Sequence, residues 1–132
     1  MNRTHLEGAA EKLTAQRGYT FYTGPEDDMG HTVRNYPAAW LAPPELHAVE
    51  GRTHGRATYD MTLHLLRPGA RISPAERRTA LAEMEAQMIE IFAELSLDER
   101  ILAVEGLSVR PRSFSLTPHG EISQTATARI VT

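Results

Sequence analysis

Cysteine is missing from the 132-residue chain, which removes disulfides, thiol nucleophiles and thiolate zinc sites from consideration. Lysine is almost missing as well: Lys12 stands alone against thirteen arginines. The formal charge is −3, so the general positive excess of a protein built to grip nucleic acid is lacking, and no sequence-specific nucleic-acid binding is expected. No apolar run approaches the ~20 residues that span a bilayer. The first eighteen residues are too polar for a signal peptide, so the expected location is the cytoplasm, or a virion assembled there, and no membrane partner is expected. There is no Walker A loop and no G-x-G-x-x-G, hence no motif for nucleotide binding and no cofactor to expect. The length rules out a second full domain and leaves residues 1–132 as a single one.

What is present reads as alternating elements. Thr4 and Glu7 have capping-box spacing ahead of Leu6, Ala9, Ala10 and Leu13, and Gly18 follows, which predicts a helix over about 5–17. Tyr19 to Thr23 is aromatic and β-branched and ends at Gly24-Pro25, a short strand and a turn. His31 to Tyr36, closed by Pro37, predicts a second strand, and Pro43-Pro44 forbids ladder pairing after Trp40-Leu41. Leu46–Arg52 and Arg56–Arg67 read as a hairpin turning at Thr53-His54-Gly55, which would set His47 opposite Tyr59. In the second strand Ala57, Tyr59, Met61, Leu63 and Leu65 alternate with Thr58, Asp60, Thr62 and His64, one face buried and the other wet. Ser73-Pro74-Ala75-Glu76 starts a long amphipathic helix over about 74–95. Its stripe of Leu81, Met84, Met88, Ile91, Phe92 and Leu95 matches the hairpin's apolar face. Gly106–Arg110 and Arg112–Thr117 read as one strand interrupted at Pro111, and Ile122–Val131 as the closing strand. The order α-β-β-β-α-β-β predicts an α+β fold, a mostly antiparallel sheet with two helices packed on one face.

Six histidines invite a metal site, but their spacing does not make one. Asp60 and His64 share a strand face with Cα atoms ~13 Å apart, too far for one ion with ~2.1 Å bonds. No HExxH helix is present, and no metal site is expected. Ser113, Ser115 and His119 are close in sequence without the G-x-S-x-G elbow of a nucleophile. Glu26-Asp27-Asp28 lacks the ligand spacing of a calcium loop. No catalytic residue emerges, and the chain is not expected to be an enzyme.

Two features point to association instead. Arginine makes bidentate, weakly hydrated contacts suited to interfaces. Arg110 and Arg112 flank Pro111 while Arg52 and Arg56 flank the hairpin tip; these pairs could face an acidic loop such as Glu26, Asp27 and Asp28 on a neighbouring subunit. The other side of the sheet carries Thr58, Thr62, Ser123, Thr125 and Thr127, an uncharged hydroxyl face of a kind that neighbouring copies can cover or extend at an edge. Thr125 and Thr127 join the arginines and the acidic loop as candidate interface residues.

The layout resembles a family. An N-terminal helix, short strands around Tyr36-Pro37, a long strand from Ala57 to Leu66, a capped amphipathic helix and a closing hairpin through Gly120-Glu121-Ile122 and Thr125-Ala126-Thr127-Ala128 together resemble the small tail-terminator, or tail-completion, proteins of long-tailed bacteriophages and prophages. That resemblance implies a structural virion protein forming a ring, commonly a hexamer, which caps the tail tube and docks to the head connector. The 24–31 loop and the 52–56 and 117–121 tips are then candidate contacts to the tube or between subunits. A reading of another class is a small ligand-binding domain or enzyme with a pocket between the central helix and the sheet, lined by Tyr59, Met61, Trp40 and Phe92 with Asp60 or His64 at its mouth. A third is an adaptor that binds another protein by strand addition.

Overall fold

The longest helix forms where its start signal is strongest. In the computed structural model, which describes residues 2–51 and 55–132, Ser73 Oγ accepts the Glu76 N–H at 3.1 Å and the Glu76 carboxylate accepts the Ser73 N–H at 3.3 Å. This reciprocal box satisfies two amides that a helix start leaves free. Pro74 occupies the first turn, where its missing N–H costs nothing.

In chain order the elements are α1 (Asn2–Ala15), β1 (Thr20–Thr23), a 3₁₀ turn (Glu26–Asp28) running into the one-turn α2 (Met29–Thr32), β2 (Ala38–Leu41), β3 (Glu45–Glu50), β4 (Arg56–Arg67), α3 (Pro74–Leu95), β5 (Ala103–Pro111) and β6 (Ile122–Val131). Among the described residues the strands make one sheet ordered β1-β2-β4-β6-β5, antiparallel except for the parallel β1–β2 pair. β6 runs along one side of β4 over ten paired positions, Thr58 to Arg67. The other side of β4 is shared end to end: β2 pairs with Leu63–Leu66 and β3 with Arg56–Asp60. The architecture is α+β, with α1 and α3 on one face of the sheet.

That face holds the main core. Leu6 and Ala10 of α1 and Met84, Met88, Ile91, Phe92 and Leu95 of α3 bury against Met61, Leu63 and Leu65 of β4 and Ala126, Ala128 and Ile130 of β6. Spacings of three and four put the α3 residues on one stripe, and the period of two puts the strand residues on one face. Polar ties flank this layer. Arg67 at the end of β4 donates to Tyr19 Oη, Glu83 and Gln87, and Arg17 after α1 donates to Glu90 and Glu94.

The sequence-based elements need five corrections. First, α1 begins by Asn2, so Thr4 and Glu7 lie inside its first turns and do not cap it. Second, residues 31–36 are not a strand. Met29 and Val33 are one helical turn apart, the Val33 N–H bonds the Met29 carbonyl, and both side chains bury with Ala38, Trp40 and Leu66. The strand follows them at Ala38–Leu41, buried at all four positions; with it four strands precede α3, one more than the order α-β-β-β-α-β-β counts. Third, β5 begins at Ala103, in a connector with no clear pattern, and ends at Pro111. Fourth, residues 112–117 leave the sheet because the buried Glu121 carboxylate takes the Leu116 and Thr117 N–H groups at 2.6 and 2.9 Å and the Thr117 hydroxyl at 2.6 Å. Amides satisfied in that way need no strand partner. Fifth, a bulge between Leu46 and Ala48 sets Leu46, and not His47, opposite Tyr59. Arg52 and the Thr53-His54 turn lie outside the described residues.

Phe92 lies at the centre of the α3 stripe and is 1% exposed. Phe92→Ala is expected to lower the unfolding free energy by about 3–5 kcal/mol. Ser73→Ala, which removes only the cap, should cost about 1 kcal/mol. Urea denaturation of both variants beside the wild type checks the order and size of the two losses.

Candidate functional site

On the face away from α1 and α3, the pairing register lays side chains in rows across β4, β6 and β5. Asp60, Arg129 and Glu105 form one row, Thr62, Thr127 and Ser108 the next, and His64, Thr125 and Arg110 the third. Residues directly opposite one another in an antiparallel ladder share a face and touch. The first row is charged, and Asp60 accepts from Arg129 Nε at 3.3 Å while lying 3.2 Å from His47 Nδ1. The middle row is hydroxylic.

The third row is where the chain folds over its own sheet. The 3₁₀ turn and α2 lie on this face, packing Met29 and Val33 on Trp40 and Leu66, with Tyr22, Tyr36 and Leu116 around them. Ser123 and Thr125, expected on an open hydroxyl face, are consequently buried. The open part of that face contracts to Thr58, Thr62 and Thr127 beside the charged row.

His64 is fully buried, and both ring nitrogens are engaged: Nδ1 lies 2.7 Å from Thr125 Oγ1 and Nε2 lies 3.1 Å from Glu26 Oε2. Arg112 Nε donates to the same Thr125 oxygen at 3.1 Å. With the ring neutral, one assignment of protons satisfies every partner. Thr125 Oγ1 takes the Arg112 N–H and directs its own hydroxyl proton at His64 Nδ1, leaving Nε2–H to donate to the Glu26 carboxylate. Every group in the chain Arg112–Thr125–His64–Glu26 is matched with the imidazole neutral. Burial pushes the His64 pKa below its ordinary 6.5; the Glu26 carboxylate and its hydrogen bond partly oppose that shift, and Arg112 adds to it.

The structure thus joins three predicted residues, Glu26, Thr125 and Arg112, through a fourth that the sequence reading set aside as an exposed polar position. The clue to His64 is its setting in Leu63-His64-Leu65-Leu66: where alternation gives way to an unbroken apolar run, both strand faces are covered. Arg110, Arg112, Thr125 and Thr127 line one groove of about 380 Å³ with Ser108 and Pro111. Glu26 and Asp27 line a different one, with Glu45 and Leu46 beside the β2–β3 junction. Asp28 is exposed at the end of the 3₁₀ turn, and Arg56 is exposed at the start of β4 opposite Glu50. Trp40 and Phe92, expected to line one pocket, lie in separate clusters on opposite sheet faces. The space between α3 and the sheet is filled by the core side chains.

Among the described residues no group of three or more His, Asp or Glu is placed to hold a metal ion, and no helix is long and apolar enough to cross a membrane. Compared with models of known families and with curated proteins, the chain matches none.

A base whose folded pKa lies below its unfolded value binds fewer protons folded than unfolded in the interval between the two. Stability from neutral His64 is therefore fully present above pH 6.5 and is lost as pH falls from there through the lower folded pKa. The limiting slope for this one proton is about 1.4 kcal/mol per pH unit. In His64→Gln the titrating group is gone, so subtracting its urea-derived stability from that of the wild type at each pH should isolate this slope. A difference that stays flat across the interval would show that the neutral relay is not the folded state's arrangement.

Proposed function

We propose that the chain is a structural subunit that joins copies of itself head to tail into a ring, the tail terminator of a long-tailed bacteriophage or prophage, capping the tail tube and docking to the head connector. The observation that carries this reading is that two of the three sheet edges no described strand covers, β3 and β5 (the third is β1), flank the central strands. β3 and β5 lie on opposite sides of the β4–β6 pair, and each has an outer edge that no described strand covers. β3 exposes Leu46 and Val49, and β5 exposes Leu107. Bulges interrupt both edges and blunt indiscriminate strand addition, so what they offer a partner is exposed apolar side chains more than a long backbone ladder. Two unlike edges on one subunit suit a heterologous contact, the kind that closes into rings.

Two further points support it. The layout of elements resembles that family, and among the described residues core side chains fill the space between α3 and the sheet. A rigid sheet holding the 24–31 and 117–121 loops at its surface suits a role in which shape and charge are matched to a larger particle. The expected result is a concentration-dependent ring by native mass spectrometry and light scattering. Val49→Glu and Leu107→Glu, on opposite edges, should each leave monomers with unchanged circular dichroism, because both side chains are already in water. A wild-type chain that stays monomeric up to its solubility limit and also when offered polymerised tail tube would overturn the reading.

A further inference from the structure

Two grooves at opposite lateral sides of the sheet carry unspent charge of opposite sign. Beside β5, Arg110 and Arg112 line a groove that contains hydroxyls but no carboxylate. Their Nε atoms are tied to Ser108 Oγ at 3.2 Å and Thr125 Oγ1 at 3.1 Å, and Pro111 between them has a fixed φ. The guanidinium heads are thereby oriented with their Nη donors uncommitted, and neither arginine has an acidic partner among the described residues. A planar fork held this way is matched to a carboxylate, which it can bind through two parallel hydrogen bonds.

Across the sheet, beside β3, the groove of about 560 Å³ holds Asp27 and Glu45. Its other ionic groups are engaged: Glu26 by His64, and Arg3 by the Pro44 carbonyl and the face of Tyr59. Asp27 and Glu45 are exposed and have no cationic partner among the described residues. Leu46 and Leu107 are exposed alongside the acidic and basic sides respectively.

Within one chain, three strand spacings, about 14 Å, separate Glu45 on β3 from β5, and among the described residues no ion pair joins Asp27 or Glu45 to Arg110 or Arg112. We propose that the Arg110–Arg112 groove of one copy receives the Asp27 and Glu45 carboxylates of the next. This inference rests on the self-assembling reading above and supplies its direction: acidic side to basic side, repeated around the ring. A free phosphate would satisfy the arginines and leave the carboxylates unpaired. A second copy neutralises both with a single contact, and it seats Leu46 near Leu107 in the same step.

The test uses Arg110→Glu and Glu45→Arg, two exposed positions outside the His64 relay, with circular dichroism to verify folding. Each variant alone presents like charges across the contact and should need about tenfold or more protein to assemble, as read by light scattering at low salt. Mixed in equal amounts, the two variants restore opposite charges at every contact, and assembly should return to within a few-fold of wild type. Single variants that assemble as the wild type does, or a mixture that fails to recover, overturn this contact while leaving self-assembly standing. A wild-type chain that never assembles overturns the contact and the ring reading together. Dissociation of the wild-type assembly by inorganic phosphate but not by equal ionic strength of chloride would support an oxyanion-matched groove; equal effects of the two salts would count against it.

Discussion

A buried imidazole governs how this sheet is finished. β4 and β6 pair along ten positions, and at the Leu63–Leu66 end they are covered on both faces, by α1 and α3 on one side and by the Met29–Trp40 cluster on the other. Water does not reach His64 there, so its two nitrogens must find partners within the chain, because an unsatisfied buried polar group costs roughly 1–3 kcal/mol. Thr125 is supplied by the strand register and Glu26 by the turn that folds back over the sheet. Once both are in place, the acidic turn is pinned on one side and Arg112 is oriented on the other.

The same arrangement makes the molecule lopsided. The grooves that flank the β4–β6 pair differ in chemistry, with Asp27 and Glu45 at the β2–β3 junction and Arg110 and Arg112 at the end of β5. A contact that pairs one edge with its own copy closes about a two-fold axis as a dimer, whereas a contact between two unlike edges repeats in one direction. The bulge in β5 between Glu105 and Ser108, where Gly106 takes a φ of 62°, leaves the chain locally unpaired and bends the edge. It keeps that edge from offering a long, flat template to any passing strand.

Much of the fold was legible because its strongest signals are local. The Ser73 box, Pro74 and the three-and-four spacing from Leu81 to Leu95 specify α3 without any tertiary information, and its observed limits agree. The alternation from Ala57 to Leu65 and the strand from Ile122 onward were equally clear. The misread segments are those whose local signal was overruled by a distant group. Glu121 draws 112–117 out of the sheet, and Trp40 and Leu66 bury Met29 and Val33 as a helical turn. The candidate site was legible only in part. The arginines, threonines and acidic triplet stood out by type and by their place at turns; His64 was marked only by the apolar run around it, and Ser108 and Glu45 look like ordinary surface positions until the strands are put in register.

The sequence by itself determined the elements that depend on neighbours a few residues away: the cap, the helical stripe, the period-two strands, and through them an α+β layering with the helices on one face. Only the tertiary structure decided which charges are spent and which remain. Whether Glu26 meets His64, or Arg110 lacks an acid, depends on strand order and register. Those are set by packing between residues tens of positions apart, and no local pattern encodes that distance.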